Sequence, residues 1–500
     1  MLKNIGANWT LAFLKIASAF VLMPFVIRAL GTVEYGVWIL IGSATGYMAL
    51  LILGVPATSV RFMAQAIASK DHDALNTHVA SFTGLYLLLG GICAIVGITL
   101  YFAFTVFFVI PPDLLFKAKL ACTVVIVTTS TGFILQLPYA IFSAHHEFVI
   151  ANIILAATTL FKFVATILIL HWLPSIVVVA VIQLGTQILE FVIAWYFVRK
   201  KYPYIRLGIP TMKWLLLKQI LAFSIFVLIL NVGSQLSYQT DALVIGKFLD
   251  VGKIAFFSVA SSLTLYYLEF LVGIASVVFP MATKLQTENN QPALQEMFLK
   301  WSKIALALTM VGGLYLLFLG PRFLAWWVGE QFEVPSGQVL QILLLGFFVY
   351  LPVRAVAQPM LMGMGRPNEA AYGFLVAGVA NLILSIALAA PFGLIGIAIG
   401  TAIPNVLYAL YLVYAACRSI NLPATKYFSY VYGKATLAAI PVILLLVMFR
   451  NELNVQKFWE FAATAAATVA LCVVLWFGFI IRNDPYLGDS WRLLRARLTK

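Results

Sequence analysis

About fourteen runs of roughly twenty apolar residues follow one another through the 500-residue chain. They fall near 8–29, 36–57, 80–105, 119–142, 149–170, 176–198, 219–245, 254–280, 303–320, 338–361, 370–390, 394–417, 435–450 and 458–481. A helix needs about 20 such residues to cross a hydrocarbon layer ~30 Å thick. Composition agrees: 63% of residues are hydrophobic and 10% are charged, against roughly 45–50% and 25% in soluble domains. Mean hydropathy is +1.01. No water-soluble core hides that much apolar surface, so a globular enzyme is excluded. An outer-membrane barrel is excluded too, because its alternating strands give a far weaker signal. The expected fold is an all-α polytopic membrane bundle of about 14 transmembrane helices.

The net charge of +14 raises the question of nucleic acid. The basic residues sit in short loops, which is how the cytoplasmic side of a membrane protein reads, so no nucleic-acid partner is expected. With both termini inside, 21 of the 32 lysines and arginines fall on the cytoplasmic side and 8 on the other. Lys15, Lys162 and Arg354 lie within spans. Met1–Asn8 carries one lysine and leads into a full-length span with no small-residue cleavage site, so the first helix is expected to be kept. Cys93, Cys122, Cys417 and Cys472 lie in apolar runs without ligand spacing and read as small core residues.

A weak internal repeat has an offset of about 219 residues. Arg28-Ala-Leu-Gly-Thr-Val-Glu-Tyr-Gly aligns with Lys247-Phe-Leu-Asp-Val-Gly-Lys-Ile-Ala, and Trp38, Ser43 and Tyr47 then align with Phe257, Ser262 and Tyr266. The longest basic loop, Arg199–Lys218, falls at the midpoint. The expected organisation is an N-lobe of helices 1–6 (1–218), a C-lobe of helices 7–12 (219–434), and helices 13–14 with a basic cytoplasmic tail (435–500). Transporters are often built from such repeats, with the substrate site between the halves. All loops are short, so no extramembrane domain houses separate chemistry.

Several spans carry polar residues on one face, at helical spacing. Helix seven has Ser224, Asn231, Ser234, Gln235, Tyr238 and Asp241; helix eight has Ser258, Ser262, Glu269 and Ser276. Helix five has Asn152, Thr159, Lys162 and Thr166; helix six has Gln183, Gln187 and Glu190; helix one has Asn4, Asn8, Lys15 and Ser18; helix ten has Tyr350, Arg354 and Gln358. Two readings stand side by side. Polar groups in membranes either glue packed helices together or line a water-filled cavity. A hydrophilic cavity between two lobes explains all the stripes at once.

Charges within spans cost at least ~2.5–3.5 kcal/mol on insertion scales. Lys162 and Glu190 lie on consecutive helices at depths about 7 Å apart. Either they form a structural ion pair, or Lys162 meets an anionic substrate group while Glu190 carries a coupling ion or proton. Lys15 either snorkels or contacts an anion. Arg354 either reaches the cytoplasmic interface or offers a bidentate phosphate contact. Pro24, Pro56, Pro138, Pro280 and Pro352 fall inside or at the ends of spans, where proline kinks a helix. HExxH, a Walker lysine loop and GxSxG are absent, so no metal, cofactor or catalytic residue is assigned. An ion gradient is the expected energy source. His145-His146 reads as a solvated loop, with metal binding as the rarer alternative. Gly363-Met-Gly365 reads as a helix end and turn before Pro367.

The N-terminal motifs resemble a known family. Asn8-Trp9, Pro24-Phe-Val-Ile-Arg-Ala-Leu-Gly31, Tyr35-Gly-Val-Trp38, Gly54 and Arg61-Phe-Met-Ala64 are similar to polysaccharide repeat-unit (O-antigen or capsule) flippases of the Wzx type, in the MATE-like MOP superfamily. The resemblance implies two six-helix lobes plus two further helices in the bacterial inner membrane. It implies movement of an oligosaccharide on undecaprenyl pyrophosphate by alternating access, with the lipid bilayer around it and the polysaccharide polymerase and chain-length machinery as partners. It also implies a cationic cavity, for which Lys15, Arg28, Arg61, Lys162 and Arg354 are the candidate anion contacts. Asn8, Asn152, Gln187, Asn231, Gln235 and Tyr238 are the candidate polar lining, and Glu190, Asp241 and Glu269 the candidate coupling carboxylates. Three acids offset three bases within the spans, so a strongly cationic lumen is not evident from sequence. The rival readings are a cation-coupled exporter of small molecules on the same fold, a membrane polymerase or ligase, and a non-transporting component of an export apparatus.

Overall fold

The computed structural model describes residues 2–52, 54–206, 226, 228–453, 455–476, 478 and 484–487; for 2–9 and Thr105 it describes the backbone only. Every regular element among these is helical. In chain order they are α1 (Leu2–Gly46), a 3-10 turn (Tyr47–Ile52), α2 (Val55–Ala68), α3 (His72–Phe107), α4 (Pro112–Ala144), α5 (Phe148–Trp172) and α6 (Ile176–Lys201). Then come α7 (228–238), α8 (Thr240–Phe248), α9 (Val251–Val272), α10 (Ala275–Thr287), α11 (Gln291–Trp327) and α12 (Glu333–Gly363). The last are α13 (Pro367–Ser419), α14 (Ala424–Phe428), α15 (Lys434–Glu452) and α16 (Phe458–Leu475). Starts are set locally. Asp71, Ser175 and Asn290 accept from backbone N–H groups of the first turns of α3, α6 and α11, and proline opens α2, α4, α11 and α13, where its missing N–H costs nothing.

Eleven helical stretches among the described residues are long and apolar enough to cross a membrane. Two are double length: Thr10–Ala68 has 59 residues and Pro367–Ser419 has 53. At 1.5 Å per residue these would run about 80–90 Å if straight, so each must contain more than one crossing. Each breaks at a glycine in the left-handed region, Gly31 at φ 76° and Gly393 at φ 59°, a conformation that a side chain disfavours. The sequence expectation of separate spans at 8–29 and 36–57, and at 370–390 and 394–417, places its boundaries at these two glycines. The count of fourteen remains an expectation: eleven such stretches stand among the described residues, and positions 219–225 and 227 of helix seven (219–245) lie outside them.

Two span boundaries differ from expectation. The run 254–280 is two helices, α9 and α10, parted at 273–274. The thirteenth span, whose apolar run 435–450 is short for a crossing and leaves an earlier start open, extends back to Ala424 through a π turn at Ser429–Gly433. Its first turns carry Lys426, Tyr427, Tyr430 and Tyr432, whose polarity hid them from a hydropathy reading.

The chain divides into two compact units, Met1–Ala255 and Phe256–Lys500. In the first, α4 packs on α1, α2, α3, α5 and α6. Glu34 sits 9% exposed just beyond the Gly31 break. It accepts from the Ile176 N–H at the start of α6 (2.9 Å) and pairs with Lys117 at the start of α4 (3.7 Å). A carboxylate on an N-terminal N–H satisfies one of the orphan donors of that end. In the second unit, α12 is the central helix between α11 and α13. Its stripe from the sequence is packed: Tyr350 and Gln358 are buried, and the Tyr408 hydroxyl donates to Gln358 Oε1 (3.2 Å) and to the Ala370 carbonyl (2.9 Å).

Within the first unit, the second half of α1 runs along residues 235–252. Val33, Gly36, Leu40, Ser43 and Tyr47 are spaced three and four apart, one helix face. Gly246 and Gly252 let Leu40 and Val33 approach. Ser43 Oγ donates to Gln239 Oε1 (3.1 Å), Gln235 Nε2 donates to the Gly46 carbonyl (3.1 Å), and the Tyr47 hydroxyl meets Thr240 Oγ1 (2.6 Å) and donates to the Gln235 carbonyl (3.3 Å). A β-carbon on Gly36 would drive into the Val251 carbonyl oxygen, whereas one on Gly42 meets nothing within 4 Å. Gly36→Ala is therefore expected to cost about 1–3 kcal/mol through overpacking and Gly42→Ala to be silent. Thermal unfolding of the two variants in detergent checks this; equal stabilities would refute the tight approach.

Candidate functional site

The polar stripes of α1, α5 and α6 converge inside the first unit. Lys15 and Ser18 of α1, Thr158, Thr159 and Lys162 of α5, and Gln183, Thr186, Gln187 and Glu190 of α6 line one cavity of about 370 Å³, with Leu22, Leu135, Leu155 and Phe163 as apolar wall. The reason is periodicity. Residues 15, 18 and 22 share one face of α1, 155, 159 and 162 one face of α5, and 183, 187 and 190 one face of α6. These helices can bury their polar faces only against one another, because the opposite faces carry lipid-compatible residues such as Ile153, Val164 and Val192.

The groups differ in what they offer. The hydroxyls of Thr158, Thr159 and Thr186 donate to carbonyls four residues back in their own helices, those of Ile154, Leu155 and Ile182, so what they offer the cavity is acceptor lone pairs. Gln187 Nε2 donates to the Thr128 carbonyl (2.9 Å) and to Thr131 Oγ1 (3.0 Å) on α4. Lys15 and Lys162 have no carboxylate oxygen within 4 Å among the described residues. The structural ion pair between Lys162 and Glu190 is therefore not made, although both face the same space. Glu190 lies within electrostatic reach of Lys15 and beside the hydroxyl of Tyr139. Two lysines face one glutamate, and this local surplus of cation was not evident from counting charges over whole spans.

The other residues singled out by sequence lie elsewhere. Asn152 is about 15 Å before Lys162 along α5, half-buried. Arg28 is on α1, about 20 Å beyond Lys15, and Arg61 is on α2; both are exposed. Asn231 is exposed on α7, Tyr238 is half-buried, and Gln235 is bonded to α1 as described. Asp241 is 4% exposed in the first turn of α8. Asn8 has its backbone in α1, and its side chain lies outside the described atoms, as does Ser224 of the helix-seven stripe. In the second unit, Arg354 stacks its guanidinium over the Phe374 ring at 5.4 Å, and Glu269 is exposed near the end of α9. Tyr139 was missed by sequence reading. Its position, one turn on from Leu135 toward Glu190, is set by helix packing and leaves no mark in the sequence.

His145 is not a solvated loop residue. Its Nδ1 meets the Ile141 carbonyl (2.8 Å), which only accepts, so Nδ1 carries the proton and Nε2 accepts from the Tyr204 hydroxyl (3.0 Å). The ring stacks on Tyr202 at 3.9 Å. Burial holds the imidazole below its ordinary pKa, which favours that neutral tautomer. Among the described residues no group of three His, Cys, Asp or Glu is placed to hold a metal.

Long apolar helices enclosing a cationic, amide-lined cavity describe a multi-pass membrane carrier. Solved structures place the fold. It is similar to an inward-facing MATE-family multidrug resistance transporter of the MOP superfamily, with TM-score 0.68 and 14% identity over 82% of this chain and 98% of that one. It is similar to the lipid II flippase MurJ in its inward closed conformation, with TM-score 0.67 and 15% identity over 95% and 98%. The model of the polysaccharide biosynthesis protein family matches residues 1–286, and the chain belongs to that family. Relatives include the uncharacterized membrane protein EpsK of Bacillus subtilis, 22% identical over 81% of this chain and 80% of the relative. A putative O-antigen transporter of Shigella flexneri is 23% identical over 80% and 94%. The resemblance to Wzx-type members of the MOP superfamily is borne out, and the chain is a transporter rather than an enzyme.

Proposed function

We propose that this protein flips undecaprenyl-pyrophosphate-linked oligosaccharide repeat units across the bacterial inner membrane by alternating access between lobes 1–218 and 219–434, with both termini cytoplasmic. The observation that carries the reading is the cavity of Lys15, Lys162, Gln183, Gln187 and Glu190, which pairs surplus cation with neutral hydrogen-bonding groups. A pyrophosphate needs the first, because charge-assisted contacts to phosphate oxygens are the strong ones. Sugar hydroxyls need the second, and the threonine lone pairs and glutamine amides supply both acceptors and donors. A family of polysaccharide biosynthesis, a relative named for O-antigen transport and a fold-mate named for flipping lipid II point to the same class of cargo.

Within this reading Lys15 and Lys162 hold the diphosphate. Arg28, Arg61 and Arg354 attract it on approach, and Asn8, Asn152, Asn231 and Tyr238 belong to the polar path, while Gln235 of the same stripe holds α7 to α1. The coupling ion is taken by Glu190, Asp241 or Glu269, of which Glu190 lies in the cavity itself. The polymerase and chain-length machinery consume the product on the far side. A carrier only relocates cargo unless a gradient or such consumption biases the cycle.

Deletion of the gene in its host is the test. Lipid-linked repeat units are expected to accumulate on the cytoplasmic leaflet, with surface polysaccharide reduced at least about tenfold. Normal surface polysaccharide, in a strain also lacking any second carrier of this class, would overturn the reading. Loss of cationic-dye export with normal polysaccharide would instead assign a small-molecule exporter.

A further inference from the structure

On the outer side of α4 lies a second space whose chemistry is the opposite of the cavity's. Ala94, Ile98, Tyr101 and Phe102 of α3 and Ile126, Val127 and Thr131 of α4 line an apolar groove of about 450 Å³. Its two threonine hydroxyls are spent on their own helix, Thr123 Oγ1 donating to the Lys119 carbonyl (2.9 Å) and Thr131 Oγ1 to the Val127 carbonyl (2.7 Å), while Ser130 is the one other hydroxyl of α4 in its lining. Two aromatic rings, Tyr101 and Phe102, meet edge to face at one end. Val127 and Phe102 stay exposed to the surroundings of the helix bundle, so the groove is open to lipid rather than closed off as core.

The groove and the polar cavity share a wall. Thr131, which lines the groove, accepts from Gln187, which lines the cavity. Gly132 beside it has no side chain, and a β-carbon there would already sit 3.5 Å from Gln187 Oε1. At this level the Gln187 amide bridges the packed α4–α6 seam, with Gly132 leaving it room. Were Gln187 to turn away, neither α4 partner would be stranded. The Thr128 carbonyl lies in the helix ladder, and Thr131 keeps its bond to Val127. The same amide N–H groups would find new acceptors on a phosphate or sugar oxygen. A polar cavity and an apolar trough on either side of a seam of this kind match the two ends of one amphiphile.

We infer that the α3–α4 groove holds the isoprenoid tail of the cargo while its pyrophosphate head occupies the Lys15–Lys162–Glu190 cavity, the chain passing between α4 and α6 at Thr131 and Gln187. This rests on the proposed function, since it assigns the tail of the same lipid-linked substrate. A head group covalently tied to a long hydrocarbon chain settles in a polar space only where that chain keeps an apolar path beside it. Among the described residues this groove adjoins the cavity directly.

The experiment uses the full-length protein in nanodiscs. One probe is undecaprenyl pyrophosphate with a diazirine on its isoprenoid chain; the other is phosphatidylglycerol with a diazirine on one acyl chain. The prenyl probe is expected to label Ile98, Tyr101 or Val127, with labelling reduced at least fivefold by excess unlabelled undecaprenyl pyrophosphate and by the groove-filling Ala94→Trp. The phosphatidylglycerol probe is expected to show no such competition. Equal, uncompeted labelling by both probes would mean ordinary bilayer lipid only, and would overturn the inference. Retention of unlabelled undecaprenyl pyrophosphate, read by native mass spectrometry on wild type and Lys162→Glu, separates the two claims. Retention by wild type with labelling outside the groove removes the tail site and leaves the flippase. No retention by wild type removes both.

Discussion

Lys162→Glu is expected to abolish polysaccharide export at normal protein abundance, with surface glycan reduced at least about a hundredfold. The side chain faces a cavity with no carboxylate within 4 Å among the described residues, so its charge is available to a ligand. A hydrogen bond to a charged group is worth about 1.5–3 kcal/mol, which alone is roughly a ten- to hundredfold change in binding. Reversal adds repulsion by placing a second carboxylate in the space that holds Glu190, where like charges in low dielectric are costly. Lys162→Met separates charge from bulk. It keeps the length of the side chain and is expected to fold and to lose about tenfold of activity, while Lys162→Arg keeps most of it. Lys15→Glu is expected to do less, because Lys15 is exposed and its loss leaves Lys162 in place. Quantified surface polysaccharide in a deletion strain complemented with each variant decides the matter. Full export by Lys162→Glu would show that the cavity does not hold the anion.

The cavity was legible from the sequence where periodicity alone places residues. Gln183, Gln187 and Glu190 repeat at four and three, so their common face followed from α6 being a helix, and Lys162 and Thr159 followed likewise on α5. What packs against such a face did not follow. The sequence offered Lys162 and Glu190 as an ion pair because they sit on one hairpin, yet the cation whose charge bears on Glu190 is Lys15, 175 positions away on α1. Helix seven shows the same limit. Its stripe predicted a shared face, and Gln235 does turn to one side, but the partners it finds, Gly46 and Tyr47, give it hydrogen bonds between helices. A polar stripe carries no information on whether water or another helix will meet it. Reversals of direction were readable, because Gly31 and Gly393 are the residues that tolerate a left-handed backbone. Boundaries with tyrosine and lysine in the first turn, as in α14, were not, since hydropathy scores side chains singly and ignores what they are buried against.

Lys303 is the strongest case of a residue misplaced by local reading. At the first position of the apolar run 303–320 it reads as one of the 21 cytoplasmic basic residues, but it is 2% exposed. Its Nζ lies 2.5 Å from Asp484 Oδ2 and 4.1 Å from the centre of the Tyr430 ring. Asp484 follows the last span, and nothing near it in sequence announced a partner 181 residues back. Its Oδ1 accepts from the Tyr430 hydroxyl (2.6 Å) and from the N–H groups of Tyr486 and Leu487 (2.9 and 3.0 Å). Removing one partner of a buried pair typically costs about 3–5 kcal/mol, because the other charge is left without compensation. The two removals should differ. Asp484→Ala strands an ammonium that has, among the described residues, the Tyr430 ring face beside it and no other carboxylate within 4 Å, and is expected to fall at the upper end of that range. Lys303→Met leaves a carboxylate with three donors, and is expected to cost about half as much. The double variant should recover part of the loss, since neither charge then remains buried. Burial alone would raise the carboxyl pKa, but donation from Lys303, Tyr430 and Tyr486, with the lysine charge, holds it below its ordinary 3.8. A depressed folded-state pKa contributes stability that is fully present above 3.8 and is lost only as pH falls through the lower folded value. The ranking should therefore be unchanged between pH 6 and 8. Thermal unfolding of the three variants in detergent measures it, and an Asp484→Ala protein as stable as wild type would show that this contact does not tie the segment after α16 to α11.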